Sequence, residues 1–279
     1  MVQNLKSVLI CVTQESSDED ASSALGYGLS LAQQAGAHAT VQAASVKLVV
    51  TSAWMSLAAP LIHAENRHLK TLAEAVAENA KADAAAAGVV CSAETLQLSF
   101  PELLASFTAL ARIHDVTVLD AEPGNLKPDR TLIETLLTKS GRPLIVVPPG
   151  QDAFRGRRIL IAWDGSAKAA RAVADALPLL RAAEAVEVVS VSGEKELPDT
   201  ITGADIAPHL SRHDVAVSVR NVAAPQGDVA AALRNQVAAS RADMIVMGGY
   251  VHSRLREMVF GGVTQSLLKE SPVPLFMAH

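Results

Sequence analysis

Short apolar runs alternate with longer amphipathic segments along the whole chain. In the first half, five runs are typical of strands, and the segments between them carry apolar residues at helical spacing. The predicted strands cover residues 7–12, 38–50, 89–97, 116–120 and 143–148. The predicted helices cover residues 20–36, 64–87, 101–113 and 130–139. Strands and helices that alternate in this way predict a parallel sheet with helices on both faces.

The second half repeats this order of elements. Its predicted strands cover residues 159–163, 186–191, 217–222, 243–248 and 274–278. Its predicted helices cover residues 167–183, 203–213 and 227–240, and a last helix begins at about Thr264 after a glycine-bearing loop. Ser166 is the predicted N-cap of the first of these helices. The sequence therefore predicts an α/β fold made of two repeated, doubly wound, parallel five-stranded sheets.

Alignment of the two halves reveals an internal repeat. The run at 8–13 matches 159–164 at an offset of 151, Asp115 matches Asp243 at 128, and Pro143 matches Pro274 at 131. The first half thus has 23 additional residues between its first and fourth strands, and three fewer between its fourth and fifth. We expect one domain at residues 1–150 and the other at 157–279. Proline, glycine and charged residues in the join, 148–157, predict an exposed connection.

An apolar stretch at 48–64 accounts for most of the additional residues. Its 17 residues carry no Asp, Glu, Lys or Arg, but they include Pro60 and several polar groups. A membrane-spanning helix needs ~20 apolar residues, so we expect this stretch to be buried or to form an interface. Trp54 and Met55 within it are expected to pack in a core or an interface.

Composition narrows the range of partners and compartments. The chain has 279 residues, with 24 Lys+Arg against 29 Asp+Glu and a net charge of −5. Without a basic face, nucleic acid is not expected as a partner. Cys11 and Cys91, the only cysteines, lie in apolar runs and are expected to be buried and reduced. Because the first residues lack the length and cleavage signal of a secretory peptide, we expect a cytoplasmic protein without a membrane anchor.

Candidate chemistry lies after the first and fourth strands of the second half, because ligands bind such sheets where the strand order reverses. Asp164 follows the first strand, Gly248 and Gly249 follow the fourth, and Gly261 and Gly262 open the last helix. An Asp carboxylate can accept hydrogen bonds from an adenine amino group or a ribose hydroxyl. Glycines and a helix N-terminus favour a bound phosphate. Taken singly these are ordinary turn and cap residues, whereas their joint spacing predicts a nucleotide pocket.

This arrangement resembles the universal stress protein family, and nearly the whole chain is similar to a tandem member with two such domains. The family motif is Gly, two residues, Gly, nine residues, Gly, then Ser or Thr, with an Asp after the first strand. Asp164, Gly248 and Gly261 match this pattern. Val251 stands at the second Gly, and Gly262 stands at the Ser or Thr, with Thr264 as a substitute hydroxyl. A β-branched residue is an outlier at positive φ, so the loop either follows another path or is strained at Val251.

The resemblance implies a Rossmann-like, adenine nucleotide alpha hydrolase-like fold. It also implies that the second half binds ATP or another adenine nucleotide, with or without Mg²⁺. Asp164 would hold the base or sugar, Val191 would offer its backbone to the base, and the glycines would hold phosphates. The implied binding residues are Ala162, Trp163, Asp164, Val191, Met247, Gly248, Gly249, Val251, His252, Ser253, Arg254, Gly261, Gly262, Val263 and Thr264.

The first half lacks most of these features. Thr13 occupies the position of Asp164, and the loop 121–128 contains Glu122 and two prolines. Proline removes N–H donors, and the carboxylate would repel a phosphate. We expect this half to be a structural copy that binds no nucleotide.

The sequence also bears on assembly and on metal binding. The resemblance implies that the last strands of the two halves pair with each other, which makes the chain an intramolecular pseudo-dimer. The stretch 48–64 is then a candidate second interface, through which a homodimer would form. His209 and His213 are four residues apart on a predicted helix, but no Cys, Asp or Glu cluster accompanies them, so we expect a solvated face and no metal site.

Three functions remain open. The first is a stress-response regulator that binds an adenine nucleotide, acts on an unknown protein partner and has no dedicated catalysis. The second is an interaction or scaffold protein of the same fold that binds no nucleotide. The third is a nucleotide hydrolase, although the sequence contains no GxSxG, GxxxxGK[ST] or HExxH motif.

Overall fold

A computed structural model describes most of the chain. The described residues are 2–14, 22–49, 58–121, 127–192, 203–249, 251–254, 257–260 and 262–279. The elements of the first half are β1 (Ser7–Gln14), α1 (Ser23–Ala35), β2 (His38–Val46), α2 (Ala59–Ala86), β3 (Cys91–Leu98), α3 (Phe100–Arg112), β4 (Val116–Asp120), α4 (Lys127–Lys139) and β5 (Leu144–Val147). The elements of the second half are β6 (Arg158–Ala162), α5 (Ala167–Ala182), β7 (Ala185–Ser192), α6 (Gly203–Arg212), β8 (Val217–Ala223), α7 (Val229–Ser240), β9 (Met244–Gly248), β10 (Val251–Arg254), β11 (Glu257–Phe260), α8 (Gly262–Glu270) and β12 (Leu275–Ala278).

Ten of the strands form one continuous sheet. Its strand order is β3-β2-β1-β4-β5-β12-β9-β6-β7-β8, so each half contributes five neighbouring strands in the same relative order. The strands within each half are parallel. At the centre β12 pairs antiparallel with β5, and Phe276 lies opposite Ile145. The predicted α/β fold and the predicted pairing of the two last strands are both confirmed.

Side chains of the sheet alternate between two cores, because successive residues of a strand point to opposite faces. Val8 and Ile10 of β1 pack in the core under α1, α2, α5 and α6, whereas Leu9 and Cys11 pack in the core under α3, α4, α7 and α8. Burial raises the pKa of the Cys11 thiol. Cys91, on the edge strand β3, is only half-buried, so the prediction that both cysteines are buried holds for Cys11 alone.

The loop after β9 differs from the prediction. Instead of an irregular glycine-bearing loop, the chain forms an antiparallel hairpin of β10 and β11, with Val251 opposite Phe260. Val251 therefore has extended strand backbone, which a β-branched residue favours. The sequence left two alternatives open, a different loop path or a strained backbone at Val251. The structure has the different path, and the backbone of Val251 is not in the left-handed region.

The segment that joins the two halves packs against α1. Phe154 is 4% exposed, and its ring meets that of Tyr27 edge to face at 5.7 Å between centroids. The side-chain amide of Gln34 donates to the carbonyl oxygen of Phe154 (2.8 Å), and the N–H of Gly150 donates to Oγ of Ser23 (3.0 Å). The predicted exposed connection is thus wrong at Phe154, because the aromatic ring finds a buried partner on the neighbouring helix.

The described flanks of the apolar stretch 48–64 lie at the surface. Leu48, Val49 and Leu61 are 44%, 50% and 74% exposed, so burial is not observed for them. Asn66 ties the stretch to α2, because its side chain accepts from the N–H of Leu48 (2.8 Å) and donates to the carbonyl of the same residue (2.9 Å). Trp54 and Met55 lie outside the described residues. No helix within the described ranges is long and apolar enough to cross a membrane.

Candidate functional site

The predicted pocket lies where β6 and β9 end side by side. Ala162 is opposite Met247 in the parallel ladder, and the chain leaves β6 toward β7 on one side while β9 flanks it on the other. This is the position at which the strand order reverses. Trp163 extends the ladder by one residue, since its N–H donates to the carbonyl of Val189 (2.9 Å), and its side chain is buried.

Asp164 is exposed at the mouth of this site and also closes a turn. Its Oδ1 accepts from the N–H of Ser166 (3.0 Å), and Gly165 between them has φ +75°, which favours glycine. Oγ of Ser166 accepts from the N–H of Ala169 (3.1 Å), so the predicted N-cap is confirmed. Burial lowers the pKa of Lys168, and the nearby charge of Asp164 opposes this effect. The turn holds one exposed carboxylate beside the N-terminus of α5.

Gly248 and Gly249 pack closely against neighbouring helices, and only Gly248 does so against helix backbone. A Cβ on Gly248 would come within 2.7 Å of the backbone N of Ala169, so its absence lets the first turn of α5 approach β9. A Cβ on Gly249 would lie 2.4 Å from Cδ2 of Leu137 in α4. The N–H of Gly249 donates to the carbonyl of Ala278 (2.8 Å), and a phosphate could reach that N–H only by displacing this bond.

The remaining predicted residues are distributed over several environments. Val191, the penultimate residue of β7, is half-buried, Met247 lies in the core, and Val263 is half-buried against the core. Thr264 is 1% exposed, so its hydroxyl does not reach solvent. Gly262 is exposed, and a Cβ added to it would meet nothing within 4 Å. The backbone of Val251, His252, Ser253 and Arg254 forms β10. Gly261 lies outside the described residues.

A carboxylate occupies the corresponding place in the first half. Asp120 ends β4, and the offset of 128 places it at the position of Gly248. Its Oδ2 accepts from the hydroxyl of Ser22 (2.6 Å), and its Oδ1 accepts from the N–H of Ala24 (2.8 Å) at the start of α1. The first half thus places its own anion at a helix N-terminus that a phosphate would otherwise favour. The repeat offset of 128 reveals this Asp-to-Gly difference directly in the sequence.

The buried Asp120 should make stability depend on pH. Burial raises the pKa of this carboxyl from 3.8, against the opposing hydrogen bonds from Ser22 and Ala24. The folded state therefore holds this proton more tightly than the unfolded state, and the stability that the proton confers is lost as the pH rises through the folded pKa. Relative to Asp120→Asn, wild type should therefore lose stability as the pH rises from 3.8 toward neutrality. Urea denaturation across this pH range measures the difference.

A matched variant separates this effect from general acid titration. Asp83→Asn removes a carboxylate from the exposed face of α2 and should follow the wild-type profile. If Asp120→Asn also runs parallel to wild type at every pH, the raised pKa is wrong.

His209 and His213 lie at the C-terminal end of α6, the second of them one residue beyond the helix. The rings of His209 and His213 are 4.7 Å apart between centroids, in edge-to-face contact. Nε of Arg181 donates to the carbonyl of His213 (2.9 Å). Among the described residues, no group of three or more His, Cys, Asp or Glu side chains could hold a metal ion.

Comparison with known proteins finds a family match in the second half of the chain. Residues 156–279 match the universal stress protein family. The second half of the chain belongs to that family. The resemblance read from the sequence is therefore confirmed for this half, and the repeated fold is consistent with a tandem arrangement.

Solved structures share the fold over almost the whole chain. A universal stress protein from Archaeoglobus fulgidus DSM 4304 superposes with a TM-score of 0.66 at 16% identity, covering 96% of this chain and 97% of its own. A putative universal stress protein from Pseudomonas aeruginosa UCBPP-PA14 gives a TM-score of 0.51 at 14% identity, covering 99% and 93%. A functionally unknown protein from Pseudomonas aeruginosa PAO1 gives 0.52 at 15%, covering 99% and 92%. No curated protein matches the sequence. The fold of the whole chain, and not only that of its second half, is thus shared with other proteins of similar length.

Proposed function

We propose that the universal stress protein domain, residues 156–279, binds an adenine nucleotide at the carboxyl ends of β6 and β9. The chain is then a cytoplasmic stress-response regulator without dedicated catalysis, and the bound nucleotide controls its action on a protein partner. The observation that carries this proposal is the exposed carboxylate of Asp164 at the reversal point of the strand order. A carboxylate there is placed to accept hydrogen bonds from a ribose or an adenine amino group.

The N-terminus of α8 supports the placement of the phosphates. Gly262 opens this helix, is exposed and has free space around its Cα, so an anion can approach its backbone closely. The first turn of a helix also carries a partial positive charge. Because the N–H of Gly249 already has a partner, we assign the phosphates to the Gly262 and Val263 backbone, and the base to the end of β7 at Val191.

The contrast between the two halves supports the choice of the second half. Asp120 fills the N-terminus of α1 with a carboxylate, whereas Gly248 contributes no charge at the same position beside α5. A nucleotide phosphate would therefore be repelled in the first half and not in the second.

A second function is favoured by the hairpin. β10 and β11 form a regular antiparallel pair in the segment where the family motif requires glycines, and β11 lies against α4 of the first half. If this hairpin covers the pocket, the chain acts as an interaction protein of the same fold and binds no nucleotide.

Calorimetric titration of ATP and AMP, with and without Mg²⁺, tests the proposal. We expect ATP to bind wild type, and Asp164→Ala to weaken it by about tenfold to a hundredfold, since a hydrogen bond to a charged group contributes about 1.5–3 kcal/mol. Asp164→Asn keeps an oxygen that accepts from Ser166 but removes the charge, and should also bind more weakly. Equal binding by wild type and both variants would show that Asp164 only closes its turn.

The variant Val251→Gly distinguishes the two functions. Glycine at this position weakens β10, because it loses more backbone entropy in a strand than valine does and has no side chain to pack. Binding by Val251→Gly alone would favour the interaction protein with a covered pocket, whereas no binding by either protein would contradict the nucleotide proposal. Release of phosphate from ATP by wild type, lost in Asp164→Ala, would instead support the hydrolase.

A further inference from the structure

A cavity lies at the amino ends of β6 and β9, at the opposite ends of these strands from Asp164. It has a volume of about 570 Å³ and opens where β6 begins and where α7 leads into β9. Its charged lining consists of four arginines and two carboxylates: Arg155, Arg157, Arg158, Arg241, Glu184 and Asp243. The volume falls within the range of ~300–1,000 Å³ that is typical of small-ligand sites.

Both carboxylates of this cavity already have partners. Oδ2 of Asp243 accepts from the N–H of Arg157 (3.0 Å), and Oδ1 accepts from the N–H of Arg158 (3.3 Å). Oε1 of Glu184 accepts from Nε of Arg157 (2.6 Å). Each carboxylate is thus engaged by groups at the start of β6, and the positive charge of the lining is in excess.

Arg155 and Arg241 carry that excess. Within the part of the chain that the structure describes, neither guanidinium makes a hydrogen bond or an ion pair, and both residues are exposed. Arg155 is near enough to Asp243 for its charge to lower the pKa of that carboxyl, which burial raises. Arg241 ends α7 with φ +55°, a left-handed position where glycine is the usual residue. Arg155 and Arg241 therefore line one cavity with no hydrogen bond to their guanidinium groups among the described residues, and Arg155 has only the longer-range attraction of Asp243.

The first half shows that the fold does not require these arginines. There, Asp115 accepts from the N–H of Lys6 (2.7 Å) and of Ser7 (2.9 Å), which is the same clamp that Asp243 makes in the second half. The repeat offsets of 128 and 151 place Ile113 at the position of Arg241 and Asn4 at that of Arg155. The hydrogen bonds from the carboxylate to the start of the strand thus form without these two arginines, which occur only in the second half.

We propose that this cavity binds a small anion that bears two or more phosphate groups, at a site distinct from the nucleotide pocket. Guanidinium groups suit this ligand because their planar N–H pairs donate to two oxygens at once. Arg155 and Arg241 are the principal binding residues, and Arg157 and Arg158 are held by Glu184, Asp243 and the carbonyl of Ser240. The ligand lies beyond the amino ends of the strands, whereas Asp164 lies beyond their carboxyl ends.

Calorimetric titration of tripolyphosphate into the full chain at 0.15 M salt tests this site. We expect saturable binding that weakens at least tenfold in Arg155→Gln and at least tenfold in Arg241→Gly. The second variant should fold normally, because glycine adopts the left-handed backbone of position 241 more readily than arginine. A melting temperature no lower than that of wild type checks this point.

Two controls make the result specific. Arg212→Gln removes the same charge from an exposed position on α6 and should bind tripolyphosphate like wild type. Asp164→Ala should also leave this titration unchanged, whatever its effect on ATP. The proposal would be overturned if the double variant Arg155→Gln with Arg241→Gly bound tripolyphosphate as tightly as wild type. It would also be overturned if Arg212→Gln weakened binding equally, or if Asp164→Ala abolished it. Parallel titrations with pyrophosphate and ADP show whether the ligand is an inorganic polyphosphate or a phosphorylated metabolite.

Discussion

Phe154→Ala should lower the free energy of unfolding by about 3–5 kcal/mol, the usual cost of truncating a buried aromatic side chain. The ring is 4% exposed and meets Tyr27 edge to face, so its removal leaves a cavity between the joining segment and α1. It also removes an aromatic pair, which contributes about 0.5–1.5 kcal/mol beyond the buried area. Urea denaturation followed by circular dichroism measures the loss.

Two further variants calibrate this result. Ala153→Ser alters an exposed neighbour and should change the free energy of unfolding by no more than about 0.5 kcal/mol. Phe154→Leu retains much of the apolar volume and should fall between wild type and alanine. A loss below about 1 kcal/mol in Phe154→Ala would mean that the joining segment does not contribute to the core as the structure indicates.

Gly248→Ala should be the second most disruptive change, with a loss of about 2–3 kcal/mol from overpacking. Its Cβ would lie 2.7 Å from the backbone N of Ala169, and a helix backbone cannot move aside as a flexible side chain can. The first turn of α5 would have to shift away from β9 and carry the turn at Asp164 with it. ATP binding should therefore weaken together with stability.

Gly262→Ala is the matched control for this prediction. Both glycines belong to the same sequence motif, but a Cβ on Gly262 meets nothing within 4 Å. Alanine should thus be neutral or stabilise by about 0.4–1 kcal/mol through the reduced entropy of the unfolded chain. Thermal melting and urea denaturation of the two variants provide the comparison. Equal losses in both would mean that the close contact of Gly248 with α5 is not real.

The periodicity of the sequence predicts the sheet well. Runs such as 159–163 are buried on both faces, so their apolar character is continuous and easy to recognise. The same is true of helix starts, where Ser166 caps α5 through a local hydrogen bond between residues close in the chain. These features depend on short-range chemistry, which a single sequence contains in full.

Contacts between distant residues were harder to foresee. Phe154 lies in a segment rich in turn-forming residues, and its burial depends on Tyr27, far away in the chain. The hairpin of β10 and β11 was hidden because the family motif directs attention to glycines that this loop lacks at Val251. The sequence motif predicts phosphate contacts for Gly248 and Gly249, and it gives no indication of the close packing of these glycines against α5 and Leu137.

The central β5–β12 pair also bears on how the two halves can change over evolutionary time. In a symmetric homodimer a single gene encodes both subunits, so every substitution appears twice and both sites must remain alike. Covalent linkage removes that constraint, and it makes the pairing of Ile145 with Phe276 independent of protein concentration. The two copies differ accordingly: Asp120 stands in one where Gly248 stands in the other, and Ile113 where Arg241 stands. Tandem duplication thus provides the opportunity for two copies of one architecture to specialise separately.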